Sequence, residues 1–427
     1  MPEFHKHADD GESDSTNRYG SSDANILEGM KVLDFTRDLS GPYTSMMLAE
    51  LGADVIEIEH PLGGDETRSW PPELDGIGGY FATINRSKRC LAVDLKRKEG
   101  LQIAIDLARG SDVVMQSFTP GVADRLGIGY NAIRAVNPDV VYYSLSGFGQ
   151  DGPWRNRRGY DPILQAVSGH MSVMGEKDGG PVKSMVPIAD VSTAIHGTAA
   201  ILAALLRRVR TGRGQHIDMS MLDVMVSMLS VVGARYLLTG VVPTRQGTEN
   251  PQRVPSAAFE CSDGRHLQVV PNQRQWLSFC ELIGRPDWVE DPNFATPQAR
   301  VKNSAVVYSS LREIFRQRSS SEWEELLSTA TVACSRINNL AEVFDLEQVK
   351  HRGLVGSFDV PGLGQYPALR LPFSFSETDT PIRSHPPRLG EHTIEILRST
   401  GRTEVAIEKL IADGVVRQMN AEATSIA

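Results

Sequence analysis

The first half of the chain repeats one pattern, in which a short β-branched run is followed by a helical stretch and then by another β-branched run. Five such runs occur in order: KVLDFT, ADVIEIE, CLAVDL, DVVMQSF and VVYYSLSG. Parallel strands need a long crossover, which is usually a helix. The alternation therefore predicts an α/β fold with a Rossmann-like, doubly wound domain.

The remainder of the chain departs from this pattern. With 427 residues the chain is too long for one ordinary core, so two domains are expected. A long helix is predicted from Asp190, and the pair Asp263–Gly264 between two alternating strands indicates a hairpin. We predict a disordered tail, the N-terminal part of a large α/β domain, a linker with a small α+β domain, and a return segment that completes the large domain: 1–26, 27–225, 226–340 and 341–427.

Composition limits the class of partner. The 44 basic and 53 acidic residues give a net charge of −9, which disfavours sequence-independent binding of nucleic acid. The N-terminal residues lack the apolar core of a secretion signal, so a cytoplasmic location is expected. The most apolar run, 191–206, is short for a bilayer and contains polar residues, so we expect a buried helix and no membrane association.

Several common enzyme motifs are missing. The first strand is followed by TRDLSGP and not by GxGxxG, which disfavours a nicotinamide-dependent dehydrogenase. No HExxH, GxSxG or P-loop sequence occurs, and the four cysteines form no CxxC pair. The sequence thus predicts no metal site.

Carboxylates at predicted helix starts are the remaining candidates for chemistry. Asp190 and Asp161 each precede a helical segment, where a carboxylate either only caps the helix or is kept ionised as a nucleophile. The residues by themselves leave both interpretations open. Tyr160 is compatible with simple packing. Five basic residues could bind an anionic substrate or be solvated surface: Lys88, Arg89, Lys96, Arg125 and Arg158.

Seven ordered segments resemble one known family. They are VLDFTRDLSGP, LGADVIEIEHPLGGDETR, NRSKRCLAVDLK, SGFGQDGP, GYDPILQAVSG, ADVSTAIHGTAAILAAL and RTGRGQHIDMSMLD. Together, from about Leu27 to about Gln418, they are similar to the class III CoA-transferase family, also called the CaiB/BaiF family. The resemblance implies an acyl-CoA:carboxylate CoA-transferase that uses a CoA thioester as substrate and holds no permanent cofactor.

The resemblance also implies catalytic roles. Asp190 takes the place of the family's nucleophile, which attacks the donor thioester, forms an anhydride and then an aspartyl-CoA thioester. Tyr160 and Asp161 stand at the tyrosine and the aspartate of the family's GYD segment, which precedes the nucleophile in the sequence. The racemase branch of the family has a histidine where Tyr160 stands, and a tyrosine is a poor base at neutral pH. Transfer is therefore favoured, with an acyl-CoA racemase or epimerase and a catalytically silent acyl-CoA binder as alternatives.

The residues that contact CoA in the family correspond to residues of the large domain here. The resemblance therefore implies that the large domain binds CoA. They are Val93, Lys96, Phe118, Arg125 and Arg158, with His60 where the formyl-CoA branch has an arginine.

The acyl group and the assembly follow from the same resemblance. Leu39 replaces a glutamine of the formyl-CoA branch, which argues against a role with formyl-CoA and oxalate. The overall similarity instead implies succinyl-CoA as donor and a dicarboxylic acid as acceptor. We place Arg37 opposite the distal carboxylate of that acid. The family fold is an interlocked homodimer, which we expect here as well.

Overall fold

The computed structural model describes residues 25–74 and 77–419. Of the tail predicted over 1–26, only Asn25 and Ile26 fall within the described residues.

The strands of the described chain are short, and half of them lie in the first half of the sequence. In chain order they are Lys31–Phe35 (β1), Asp54–Glu59 (β2), Glu73–Leu74 (β3), Ile77–Gly78 (β4), Arg89–Val93 (β5), Val113–Gln116 (β6), Val141–Ser146 (β7), His216–Ser220 (β8), Ala257–Glu260 (β9), His266–Val270 (β10), Ala333–Arg336 (β11), Val355–Val360 (β12), Gly364–Leu369 (β13) and Val416–Arg417 (β14).

The helices connect these strands and fill the second half of the chain. In chain order they are Ser40–Glu50 (α1), Gly79–Asn85 (α2), Lys98–Arg109 (α3), Val122–Leu126 (α4), Tyr130–Val136 (α5), Asp161–Val167 (α6), His170–Val173 (α7), Ile188–Thr211 (α8), Met221–Met228 (α9), Ser230–Thr239 (α10), Trp276–Leu282 (α11), Pro297–Lys302 (α12), Ser304–Phe315 (α13), Ser320–Thr329 (α14), Leu340–Asp345 (α15), Glu347–His351 (α16), Thr393–Ser399 (α17) and Glu404–Ala412 (α18), with 3₁₀ turns at Glu66–Ser69, Gln273–Gln275 and Pro286–Val289.

The chain divides into two compact units. Of the described residues, unit 1 comprises 25–74, 77–158, 190–220 and 356–419, and unit 2 comprises 159–189 and 221–355. This division differs from the predicted boundaries chiefly at 159–189, which the sequence pattern assigned to the large domain. Long-range hydrogen bonds within that segment, together with the packing of α6 on α9, account for its place in unit 2.

Unit 1 is built on a seven-stranded sheet. Its strand order is β14-β5-β2-β1-β6-β7-β8, and all neighbours are parallel except β14, which runs antiparallel to β5. The predicted mixed α/β architecture with a large parallel sheet is confirmed. The strand order reverses direction between β1 and β6, and ligands of such sheets bind beyond the carboxyl ends of the strands at that point.

The core of unit 1 explains why the β-branched runs of the first half form interior strands. Leu33, Val93 and Val114 are almost completely buried, as expected for parallel strands that are covered on both faces. Ile396 of α17 and Val416 of β14 belong to the same cluster. The C-terminal segment therefore contributes apolar surface to the core that the N-terminal half begins.

Helix α8 begins at Ile188, two residues before the predicted start, and packs closely on the sheet. A Cβ atom on Gly197 would lie 2.5 Å from Tyr143 Oη, so only glycine allows this approach. With 24 residues and a hydropathy of 1.5, the helix is long and apolar enough to cross a membrane. Half of its most apolar stretch is buried inside the protein, which is also typical of the core helix of a soluble protein.

Unit 2 contains the predicted hairpin. Strands β9 and β10 pair antiparallel, and Gly264 in the turn between them has a φ of +75°. The third strand, β11, pairs with β10 and was not predicted. Helices α9 and α10 follow each other closely in the chain but meet at an angle of 73°. Ser230 has a φ of +44°, which a right-handed helix cannot accommodate.

Candidate active site

The predicted binding residues of unit 1 lie in the loops beyond the carboxyl ends of its parallel strands. Arg37 and Leu39 follow β1, His60 follows β2, Lys96 follows β5, Phe118 follows β6, and Arg158 lies on the long segment after β7. Parallel strands bring these ends to one edge of the sheet. The structure thus groups on one edge residues that are far apart in the sequence.

The nucleophile predicted from the resemblance is held by the first of these loops. Asp190 lies in the first turn of α8 and is half-buried. Ser40 Oγ donates a hydrogen bond of 2.5 Å to Asp190 Oδ1. The dipole at a helix start favours a negative charge. A carboxylate at this position is suited to attack on a carbonyl.

The geometry of the loop before Ser40 follows from its sequence. Thr36 donates hydrogen bonds to Asp34 Oδ1 from its backbone N–H, at 2.8 Å, and from its hydroxyl, at 2.6 Å. A Cβ atom on Gly41 would lie 2.2 Å from Thr36 Cβ, so the turn requires glycine. These contacts place Ser40 at the start of α1. Sequence reasoning did not single out Ser40, although the SGP turn was a signal for it.

Acidic residues surround the nucleophile within unit 1. The backbone N–H of Asp38 donates to Asp65 Oδ2 at 3.2 Å. Burial, the charge of Asp65 and the neighbouring Glu66 raise the pKa of Asp38 to about 7, and Asp190 acts in the same direction. Asp65 is itself 3 % exposed, and burial raises its pKa. The sequence analysis overlooked both Asp38 and Asp65.

Asp34, which accepts hydrogen bonds from Thr36 of the same loop, also forms a buried ion pair. Lys88 Nζ lies 3.4 Å from Asp34 Oδ2, and both side chains are fully buried. Lys88 also donates to Asn85 Oδ1 at 2.6 Å. Lys88 was a candidate for binding an anionic substrate, and its burial excludes that role. Arg89 does not fit the role either, because it pairs with Asp54 at the opposite edge of the sheet.

The residues matched to CoA contacts differ in their exposure. Lys96, Arg125 and Arg158 are exposed cations, whereas Phe118 is half-buried and Val93 is 1 % exposed. His60 Nε2 lies 3.9 Å from Asp94 Oδ1. A neutral imidazole binds phosphate less strongly than an arginine does.

A second arginine lies beside Arg125. A Cβ atom on Gly121 would lie 3.3 Å from Arg125 Nη1 and 3.9 Å from Arg155 Nη2. The two guanidinium groups therefore flank the same glycine, beyond the carboxyl end of β6. Paired guanidinium groups of this kind suit the charge and geometry of phosphate. Arg155 was not among the residues predicted from the sequence.

Arg37 is exposed and lies next to the aromatic ring expected at the CoA site. Its Cζ atom is 5.6 Å from the centroid of the Phe118 ring, and its backbone N–H donates to Ser117 Oγ at 2.9 Å. Leu39 is 6 % exposed.

In unit 2, Asp161 makes contacts that suggest a positioning role. Its Oδ1 accepts a hydrogen bond of 2.8 Å from the backbone N–H of Ala189, the residue before Asp190. Its Oδ2 accepts from Gln165 Nε2 at 2.6 Å, and Gln165 in turn accepts from the backbone N–H of Ser184 at 2.8 Å. Asp161 is 8 % exposed, whereas the neighbouring Tyr160 is 53 % exposed. The carboxylate of Asp161 thus fixes the entry of the chain into α8.

In the described ranges no group of three or more His, Cys, Asp or Glu side chains is arranged to hold a metal ion.

Comparisons with known proteins show the family to which this chain belongs. The chain is 38 % identical over 399 residues to the succinyl-CoA:glutarate CoA-transferase of Mus musculus, covering 92 % of this chain and 90 % of the relative. It is 34 % identical over 387 residues to the succinyl-CoA:mesaconate CoA-transferase of Haloarcula hispanica, covering 88 % and 96 %. A CAIB/BAIF family protein from Brucella suis, known as a crystal structure, matches with a TM-score of 0.79 and 36 % identity over 88 % of this chain and all of that one. The family model described as CoA-transferase family III matches residues 27–393, so the carboxylate at the start of α8 stands in a chain that belongs to that family of enzymes.

Proposed function

We propose that this protein transfers CoA from succinyl-CoA to a free dicarboxylic acid, with Asp190 as the nucleophile. The single observation that carries the role of Asp190 is its hydrogen bond from Ser40 at the carboxyl-terminal edge of the sheet. The choice of donor and acceptor rests on the relatives from mouse and from Haloarcula hispanica, which are described as using succinyl-CoA with glutarate and with mesaconate.

The proposed reaction consists of four acyl transfers. The Asp190 carboxylate attacks the thioester carbonyl of the donor, the C–S bond breaks, and CoA leaves as a thiolate while an aspartyl anhydride forms. The thiolate then attacks the aspartyl carbonyl, which releases succinate and leaves an aspartyl-CoA thioester. The acceptor carboxylate attacks this thioester, giving a second anhydride and CoA thiolate. Attack of the thiolate on the acceptor carbonyl forms the new thioester and regenerates Asp190, so no net proton is consumed.

Residues on the same edge bind the CoA portion in this proposal. Lys96, Arg125 and Arg158 are exposed cations and hold the phosphates, while Phe118 and His60 lie along the remainder of the nucleotide. The Val93 side chain belongs to the core of unit 1 and does not take part. Arg37 faces the distal carboxylate of the acyl group. Its position next to Phe118 keeps its charge at the mouth of the site. Leu39 is 6 % exposed and shapes the acyl pocket in this proposal.

The proposed assembly is an interlocked homodimer without a permanent cofactor, acting in the cytoplasm apart from nucleic acid and membranes. Helix α10 supports a subunit contact, because none of its residues is buried in the chain alone. Val231, Leu237 and Leu238 are 73 %, 83 % and 86 % exposed. Contiguous apolar surface of this kind marks interaction sites. Sedimentation of the purified protein should give a species of two chains.

The test is a mass-spectrometric screen of acyl-CoA donors against free mono- and dicarboxylic acids. Succinyl-CoA with a C4 or C5 dicarboxylate should give a new thioester, and the protein should carry CoA covalently on Asp190 during turnover. Asp190→Asn should abolish both signals. Wild-type protein that forms no new thioester, but exchanges the α-hydrogen of an acyl-CoA for deuterium, would identify a racemase instead.

A further inference from the structure

The C-terminal end of the described chain brings an arginine to the carboxyl-terminal edge of the sheet in unit 1. Strand β14 runs antiparallel to β5, with Arg417 opposite Ala92. Arg417 Nη1 donates a hydrogen bond of 3.4 Å to the backbone carbonyl of Pro61, which follows His60 in the loop after β2. A residue from the end of the chain therefore lies beside a residue matched to CoA contacts.

The backbone of Arg417 is held firmly, whereas its side chain is exposed. Its carbonyl accepts a hydrogen bond from Thr393 Oγ1 at 2.6 Å, and a Cβ atom on Gly390 would lie 2.4 Å from the same carbonyl oxygen. The preceding Val416 is buried in the core of unit 1, but Arg417 itself faces solvent. The fold thus fixes the position of the residue and leaves its guanidinium accessible to a ligand.

Asp94 links the C-terminal segment to two other residues that were matched to CoA contacts. Its backbone N–H donates to the carbonyl of Val415 at 2.9 Å, and its Oδ1 accepts from the backbone N–H of Lys96 at 2.9 Å. The same oxygen lies 3.9 Å from His60 Nε2. His60, Lys96 and Arg417 are thereby gathered around the carboxyl-terminal ends of β2 and β5.

The guanidinium of Arg417 retains donors for a further partner. A guanidinium carries five N–H donors and stays charged at neutral pH. Among the described residues, the Arg417 side chain donates to a backbone carbonyl and pairs with no carboxylate. Arg398 of the same segment, in contrast, pairs with Glu404 through two N–H groups. An exposed guanidinium without an acidic partner, at an edge where ligands bind, is suited to an anion.

We propose that Arg417 binds the 3′-phosphate of CoA and so provides, from the end of the chain, a fixed positive charge beside His60. An imidazole is charged only when it is protonated, whereas a guanidinium is charged throughout the neutral pH range. The inference rests on the proposed CoA transfer. Position 417 lies beyond residue 393, where the match to the family model ends.

The choice of the 3′-phosphate follows from where the cations lie along the sheet. CoA carries a diphosphate in the middle of the molecule and a single phosphate on the ribose. Arg125 and Arg155 flank Gly121 beyond β6, and this pair suits the diphosphate. Strand β2 is two strands away from β6, or about 10 Å at a spacing of about 4.8 Å per strand. One phosphate cannot contact both places, so the cations beyond β2 and β5 are left for the 3′-phosphate.

The experiment is a calorimetric titration of the full chain with CoA and with dephospho-CoA, which lacks only the 3′-phosphate. Wild type should bind CoA about tenfold more tightly than dephospho-CoA, as expected for a charge-assisted contact. In Arg417→Gln the dissociation constant of CoA should rise about tenfold, and that of dephospho-CoA should stay unchanged. Arg417→Lys keeps the charge but lacks the planar fork, so its affinity for CoA should lie between the two.

Two comparisons make the result specific. Arg398→Gln removes an exposed arginine of the same segment and should bind both ligands as wild type does. If Arg417→Gln weakens CoA and dephospho-CoA equally, or weakens neither, the inference is wrong, because Arg417 then does not contact the 3′-phosphate. Binding requires no turnover, so a wild type that prefers CoA but forms no new thioester would overturn the proposed function and leave the role of Arg417 intact.

Discussion

Ser40 and Asp190, which are 150 positions apart in the sequence, are joined by a hydrogen bond of 2.5 Å from the serine hydroxyl to the carboxylate. The serine begins α1 and the aspartate lies in the first turn of α8, so the contact ties two helix starts together. Hydroxyl groups that orient a carboxylate restrict the directions from which it can attack.

Removal of the Ser40 hydroxyl should lower the rate of the acyl transfers. We expect Ser40→Ala to reduce kcat about tenfold, because a hydrogen bond to a charged group contributes about 1.5–3 kcal/mol. The donor KM should change little, since the hydroxyl contacts the nucleophile and not the CoA. Steady-state kinetics check this, with Ser309→Ala, at an exposed helical position, as the control. An unchanged kcat in Ser40→Ala would show that the contact does not serve catalysis.

The Asp161 carboxylate should contribute to both stability and activity. Asp161→Ala removes the carboxylate that accepts from the N–H of Ala189 and from Gln165 Nε2, which keeps only its longer bond of 3.5 Å to the carbonyl of Ser184. We expect the free energy of unfolding to fall by about 2 kcal/mol, the usual cost of unsatisfied buried polar groups. Urea titration measures this loss. Tyr160→Phe, which alters an exposed neighbour, should leave stability within about 0.5 kcal/mol of wild type. Equal stability of Asp161→Ala and wild type would argue against the positioning role.

The buried pair of Lys88 and Asp34 should be costly to break from one side. Lys88→Met leaves a fully buried carboxylate without its cation, so we expect a loss of about 3–5 kcal/mol in the free energy of unfolding. The double variant Lys88→Met/Asp34→Asn should recover part of that loss because the buried charge is removed as well. Lys98→Met provides the control at an exposed lysine. A double variant less stable than the additive expectation would contradict this explanation.

The guanidinium groups of Arg125 and Arg155 should act on the phosphates of the substrate. Replacing either residue by alanine should raise the KM of the acyl-CoA about tenfold, since charge-assisted contacts are about twice as strong as neutral ones. A pantetheine thioester, which lacks the nucleotide, should be used equally well by wild type and by both variants. Arg109→Ala removes an exposed arginine of the same unit and should change neither the KM of the acyl-CoA nor the turnover of the pantetheine thioester. If pantetheine thioester turnover falls in parallel, the arginines do not bind phosphate.

The local patterns of the first half were sufficient to predict five strands of its parallel sheet. The run KVLDFT corresponds to β1 and the run ADVIEIE to β2, because strand and helix periodicity are properties of neighbouring residues. The hairpin around Gly264 was predicted for the same reason. Strand β11 was missed, since a four-residue strand with alternating half-exposed positions carries little pattern of its own. The break between α9 and α10 depends on one positive φ at Ser230, which hydrophobic spacing does not reveal.

The sequence alone determined the strands and helices of the α/β half, the family, and the aspartate that stands at the nucleophile position. Only the tertiary structure decided which side chains meet that aspartate. Ser40, Asp38 and Asp65 come from loops whose proximity depends on strand order and on close packing at Gly41. Burial likewise decided that Lys88 stabilises a turn instead of binding an anion. Periodicity is local, whereas the field around a charge depends on every element packed against it.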